Sequence, residues 1–223
     1  MCLWAAGSGA RTVDIVTDPM PMFPLGGVLV PSMLLPLHVF EERYRRLVRD
    51  CLDGTPEFGV VLIERGSEVG GGEARTLVGT VARLIEATEM PDGRFAVNTV
   101  GVRRIRIRQW LDDDPYPRAD VEDWPDDPGA PLTELDAQRY AAVTRLRRAL
   151  ALQSEMGEPA PPATVELSDD AELASHQISA LAPVGPHDRQ GLLAAPSTAL
   201  RLTEVAALLD DAIATFTARM ELG

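Results

Sequence analysis

"MPMFPLGGVLVPSMLLPLHVFEERYRRLVRDCL", residues 20–52, begins with 21 residues that carry no formal charge when His38 is neutral. An uncharged run of that length could cross a bilayer as a helix. Prolines at 21, 24, 31 and 36 argue against it, because each removes a backbone donor and hydrocarbon offers no replacement. The pieces between them, "GVLV" and "LLPLHVF", read instead as short strands buried on both faces, with a turn at "PSM". Then the period changes. Phe40, Tyr44, Leu47, Val48 and Cys51 recur at helical spacing, which predicts an amphipathic helix that Gly54 ends.

Working outward, "EFGVVLIE" reads as a strand and "RGSEVGGGEAR" as a loop. The segments "TLVGTVARLIEATEM", "RFAVNTVG", "VRRIRIRQW" and "PRADVED" continue the β pattern, with a turn at "PDG". About six strands with short connections suit a small closed or partly open barrel. "DDPGAP" at residues 126–131 is a natural break. Beyond it Thr133 and Asp136 resemble a capping box, and Leu135, Ala142, Val143, Leu146, Ala149 and Leu150 form the stripe of a helix ending near Met156. Two or three helices are expected after that. The first carries Leu173, Ile178 and Leu181, and the last carries Leu200, Leu208, Leu209, Ile213 and Phe216, with Ser197 or Thr198 as its cap. The expected organisation is a disordered extension over 1–19, a β lobe with one helix over 20–125 and a helical lobe over 126–223.

Charge narrows the partners. With 34 acids against 21 bases the net charge is −13, so the whole-molecule field repels phosphate backbones and anionic lipid. All 21 bases are arginine. Without lysine these residues hold no Walker A loop, no Schiff-base amine and no Ser-Lys dyad. Cys2 and Cys51 are the two cysteines, which is too few for a disulfide framework or a CxxC metal pair and agrees with a reducing cytoplasm. "MCLWAAGSGARTVD" lacks the basic start and the apolar run of a secretion signal.

Candidate chemistry is sparse. His38 reads as a buried, hydrogen-bonded core residue, and His176 and His187 have no ligand-like spacing. With no HExxH, no GxSxG and no paired carboxylates, no catalytic, cofactor-binding or metal-ligating residue is assigned. A small-molecule or hydrolase site between the lobes would need a deep pocket lined by His38 and a convergent carboxylate. Glycines 66, 70, 71 and 72 could form an anion nest, but the neighbouring glutamates favour a plain hairpin loop. Arg104, Arg106 and Arg108 share one strand face beside Trp110 and could hold single-stranded RNA, although nearby acids favour a solvated face. Met20, Met22 and Met33 could serve a polypeptide-binding surface or simply fill the core.

The stretch "PMFPLGGVLVPSMLLPLHVFEERYRRLV" resembles the N-terminal, substrate-binding domain of the Lon protease family. Its Phe-Pro segment, Leu35 to His38, and Phe40-Glu41 with Arg43-Tyr44 carry the likeness, followed in order by "VGTVARL", "GVRRIRI" and "DRQGLL". The resemblance implies an α+β fold with a PUA-like six-stranded β-barrel lobe followed by an α-helical lobe, the two making one domain. It also implies a non-catalytic module that recognises unfolded or hydrophobic polypeptide segments, as in a free-standing bacterial Lon-domain protein. Met22, Ser32, Met33 and Leu34 are the expected polypeptide contacts. The alternative is an RNA-binding module using Arg104, Arg106 and Arg108. No cofactor, membrane or nucleic-acid partner is expected; a separate protease and a second copy of the chain are the further partners that the reading allows.

Overall fold

The computed structural model describes residues 19–65 and 74–222, so the expected N-terminal extension and the glycine-rich loop lie outside the described residues. Six strands come first: β1 (Met20–Leu25), β2 (Leu34–Val39), β3 (Glu57–Arg65), β4 (Ala74–Glu89), β5 (Phe95–Trp110) and β6 (Arg118–Asp123). Helix α1 (Glu42–Asp53) joins β2 to β3, and α2 (Leu132–Glu155), α3 (Ala171–Leu181), α4 (Pro186–Ala194) and α5 (Thr198–Leu222) follow. This is the α+β class, with a β lobe before an α lobe.

The sheet runs β2-β5-β4-β3-β1-β6, and β6 also pairs with β5. Five strands therefore close a circuit, and β2 lies outside it on the flank of β5. One strand can serve both neighbours because it is long: Phe95 to Val100 pair with β2, while Ile105 to Trp110 pair with β6. Register shifts between Val81 and Ala82 and between Leu84 and Glu86 bend β4 where it pairs with β5.

Several details differ from the sequence reading. "RFAVNTVG" and "VRRIRIRQW" are one continuous strand, and "MPMFPL" is a strand while "GVLV" is not. Val28 and Val30 are buried all the same, packed with Leu62 of β3 and Leu193 of α4, so their apolar character serves the joint between lobes. Strand β2 alternates between exposed and half-buried residues because only one of its faces is covered. His38 is on its exposed face and is no core histidine.

Helix α1 buries Tyr44, Leu47, Val48 and Cys51 against the circuit's interior, and Tyr44 stacks on Phe23 with ring centroids 4.1 Å apart. Phe40 precedes the helix and is exposed. Burial and the neighbouring Asp50 charge push the Cys51 thiol up to about 12, so it stays protonated and unreactive. In α2 all six residues of the expected stripe are buried. No side chain caps its start, because Pro131 fixes the entry and the helix begins at Leu132, before Thr133 could act as cap. Leu173 and Leu200 face solvent, and the Ser197 hydroxyl caps α5 by accepting from the Leu200 amide at 3.2 Å.

Gly101 lies where β5 passes the Val30 turn. A Cβ there would stand 2.3 Å from the Val30 carbonyl oxygen, backbone that cannot step aside. Gly101→Ala should cost roughly 2–3 kcal/mol as overpacking, which lowers the melting temperature by about 5–10 °C in a thermal unfolding scan.

Candidate functional site

A buried carboxylate sits at the seam between the lobes. Asp126 follows β6, and both of its oxygens accept from Arg201 of α5, at 2.5 and 2.8 Å. Arg104 of β5 forms a second ion pair with the same carboxylate and donates to the Leu193 and Ala195 carbonyls at 2.7 Å each. Arg201 is 0% exposed and also donates to the Leu192 carbonyl and to Ser175 Oγ. Burial alone would push Asp126 up. The Arg201 hydrogen bonds and the Arg201 and Arg104 charges more than offset that, and its pKa lies below the ordinary carboxylate value.

His176 of α3 is 4% exposed, with Nε2 3.2 Å from Arg201 Nη1. A guanidinium can only donate, so Nε2 must accept and Nδ1 carries the proton of a neutral ring. Burial and the Arg201 charge lower its pKa to about 3. Nδ1 has no hydrogen-bond partner.

Against this seam lies a cavity of about 610 Å³. Pro31, Val102, Trp124, Pro125 and Leu173 supply apolar wall, while His176, Asp126, Asp170 and Glu172 supply polar lining. Trp124 is flanked by the Arg104 and Arg106 guanidiniums at 4.3 and 4.2 Å from its ring centroid. Ser32 also lines the cavity, in the left-handed region at φ 69°. Such a conformation is strained for a residue with a Cβ, and here the turn is tied down by the Ser32 amide donating to the Gly101 carbonyl at 2.8 Å.

Asp126, Glu172 and His176 place one ligand atom each within 4.8 Å of one another. They do not suit a metal ion: two guanidiniums already occupy the Asp126 oxygens, and a dication would stand beside both. Nor do they suit acyl transfer. Among the described residues no hydroxyl or thiol hydrogen-bonds to His176, and an imidazole with so low a pKa is a feeble base.

The expected contacts separate. Met22 is 0% exposed, its thioether packed against Gly59, which removes it from any surface. Met33 is half-buried between two core clusters, and Leu34 is 67% exposed beside Ser32. The arginine face is not a free stripe: Arg104 is buried at the seam, Arg106 stacks on Trp124 and Arg108 pairs with Glu122 at 2.8 Å. With Arg104 committed to protein carbonyls and a carboxylate, the RNA alternative loses its central residue. Asp126 and Glu172 escaped the sequence reading, and His176 was set aside there for want of ligand-like spacing, because the three meet only in three dimensions. Arg201 did leave a trace, as a charge on the buried stripe shared with Leu202, Val205 and Leu209.

The seam should be acid-labile. Asp126 is depressed, so its contribution is full above the unfolded carboxylate value and is lost as pH falls through the folded one. His176 acts in the same direction, since between about pH 6.5 and 3 the unfolded chain binds a proton that the folded chain refuses. His176→Gln, which keeps an acceptor for Arg201, should show a shallower fall in melting temperature between neutral pH and about pH 4 than the parent chain. Parallel curves would show that the histidine contributes nothing. Arg201→Met leaves Asp126 with Arg104 alone and should cost about 3–5 kcal/mol, read in a urea titration.

Comparison with known proteins locates the fold. The family profile of the ATP-dependent protease La (LON) substrate-binding domain matches residues 19–211. The Lon protease of Azorhizobium caulinodans is 26% identical over 200 residues, which is 89% of this chain and 23% of that protein. That of Dictyoglomus thermophilum is 33% identical over 113 residues, 50% of this chain and 14% of that protein. The chain thus spans about a quarter or less of the length of these relatives. Among solved structures, a Lon N-terminal domain protein from Xanthomonas campestris superposes with a TM-score of 0.60 at 27% identity, covering 86% of this chain and 98% of that one. The N-terminal domain of Mycobacterium avium complex Lon protease shares the fold, with a TM-score of 0.65 at 15% identity over 87% of this chain and 99% of that one. The chain belongs to the Lon substrate-binding domain family.

Proposed function

We propose that the chain recognises extended, apolar polypeptide segments and seats them in the cavity between its lobes without cleaving them. The observation that carries this reading is the cavity itself: apolar walls from both lobes, a polar floor locked into structural ion pairs, and no activated nucleophile among the described residues lining it. Ser32 stands at its edge and exposed Leu34 beside it, so the turn after Pro31 is the first contact outside the cavity. Family membership supports the same direction, because the matched region is the substrate-binding part of Lon.

On this reading the chain works as an adaptor in protein quality control, in the cytoplasm, handing segments to a separate protease. Among the described residues no helix is long and apolar enough to cross a membrane. A second copy of the chain is a further partner that the reading accommodates. Burial of apolar client surface at roughly 25 cal/mol per Å², less the cost of ordering the segment, gives modest affinity for any single client.

Leu173 is a cavity wall that also faces solvent, so Leu173→Asp should fold normally. It should weaken binding of a reduced, carboxymethylated unfolded protein by roughly tenfold, the loss expected from one leucine's worth of burial. Purified chain should hydrolyse neither ATP nor casein. Casein cleavage that persists through purification, or client binding indifferent to the leucine change, would overturn the reading.

A further inference from the structure

The cavity carries an unbalanced charge. Asp123, Asp126, Asp170 and Glu172 line it against Arg103 and Arg104. Both arginines are already committed, Arg103 to Glu57 and Asp123 at 2.7 and 2.9 Å, and Arg104 to Asp126. Among the described residues neither Asp170 nor Glu172 is in an ion pair with a cationic side chain. Asp170 instead caps α3, accepting from the Leu173 amide at 2.8 Å. Glu172 is held above the usual carboxylate range by partial burial and by the charges of Asp126 and Asp170, which the Arg201 and Arg104 charges offset only in part.

A second, independent feature points to a ligand. Nδ1 of the buried His176, which lines the same cavity, is a donor without an acceptor. Buried polar groups are normally satisfied, and an exception at a cavity floor calls for an acceptor from outside. A backbone carbonyl of an extended segment is one.

Resting on the polypeptide reading above, we infer that the cavity selects segments in which a basic side chain neighbours an apolar one. The apolar residue lies against Leu173, Val102 and Trp124. The lysine or arginine head sits between Asp170 and Glu172 with its aliphatic stem along the same wall, and a backbone carbonyl accepts from His176. Charge complementarity chooses this occupant: a segment bearing acids would meet two unanswered carboxylates at the rim, and a purely apolar one would leave them and the imidazole donor unmatched.

The test uses labelled peptides of one apolar sequence carrying arginine, glutamine or glutamate at the same positions, with binding to the full chain read by fluorescence anisotropy. The arginine peptide should bind roughly tenfold tighter than the glutamine one, and the glutamate peptide weakest, with the spread shrinking as salt is raised. In the Asp170→Asn/Glu172→Gln chain, where asparagine still serves as an N-cap, the arginine and glutamine peptides should bind alike, at the parent's glutamine affinity. Equal affinities in the parent chain, or a preference that survives the double change, would overturn the inference while leaving polypeptide recognition intact. Failure of every peptide and of unfolded protein to bind would overturn the underlying reading as well. Displacement of the arginine peptide by free spermine at matching concentration would identify a small-cation site and also overturn it.

Discussion

One carboxylate governs how the two halves of the molecule meet. Asp126 faces a guanidinium from the last helix on one side and one from β5 on the other, and all three groups are withdrawn from water. Taken singly, each is a costly thing to bury, and only the set makes sense. Arginine suits the position better than lysine would, because its planar fork spans both carboxylate oxygens and still reaches the carbonyls at the end of α4. Hydrophobic contact between the lobes is slight beside this, confined largely to Val28, Val30, Leu62 and Leu193. Position comes from the polar set; the apolar contacts exclude solvent.

The cavity follows from that geometry. A cleft lies beside the Asp126 seam, and the segment around Pro31 and Ser32 together with the start of α3 forms its two banks. Asp126 and His176 belong both to the seam and to the cavity lining, whereas Ser32, Asp170, Glu172 and Leu173 line it with exposed side chains.

Much of the fold was legible in the residues. Periodicity located α1 and α2 with their buried faces, and the shift from period two to helical period marked the passage from one lobe to the other. Motif order pointed to the family. What periodicity could not reveal was burial imposed from outside an element. Alternation along β5 puts Arg104 opposite Ile105, a solvent position for an isolated sheet, and the end of α4 together with Trp124 and Asp126 covers it. "GVLV" shows the same blindness in reverse: Val28, Leu29 and Val30 are buried without the ladder hydrogen bonds of a strand. The candidate site was hidden for a stronger reason, since its members come from β5, the loop after β6, α3 and α5 and share no spacing at all.

The position of Asp126 on the covalent passage from β6 to α2 has an evolutionary consequence. A recombination break placed beside Asp126 would keep it with only one of its two arginines and part the other guanidinium from its counter-ion. A break before β1 or after α5 would leave all three groups together.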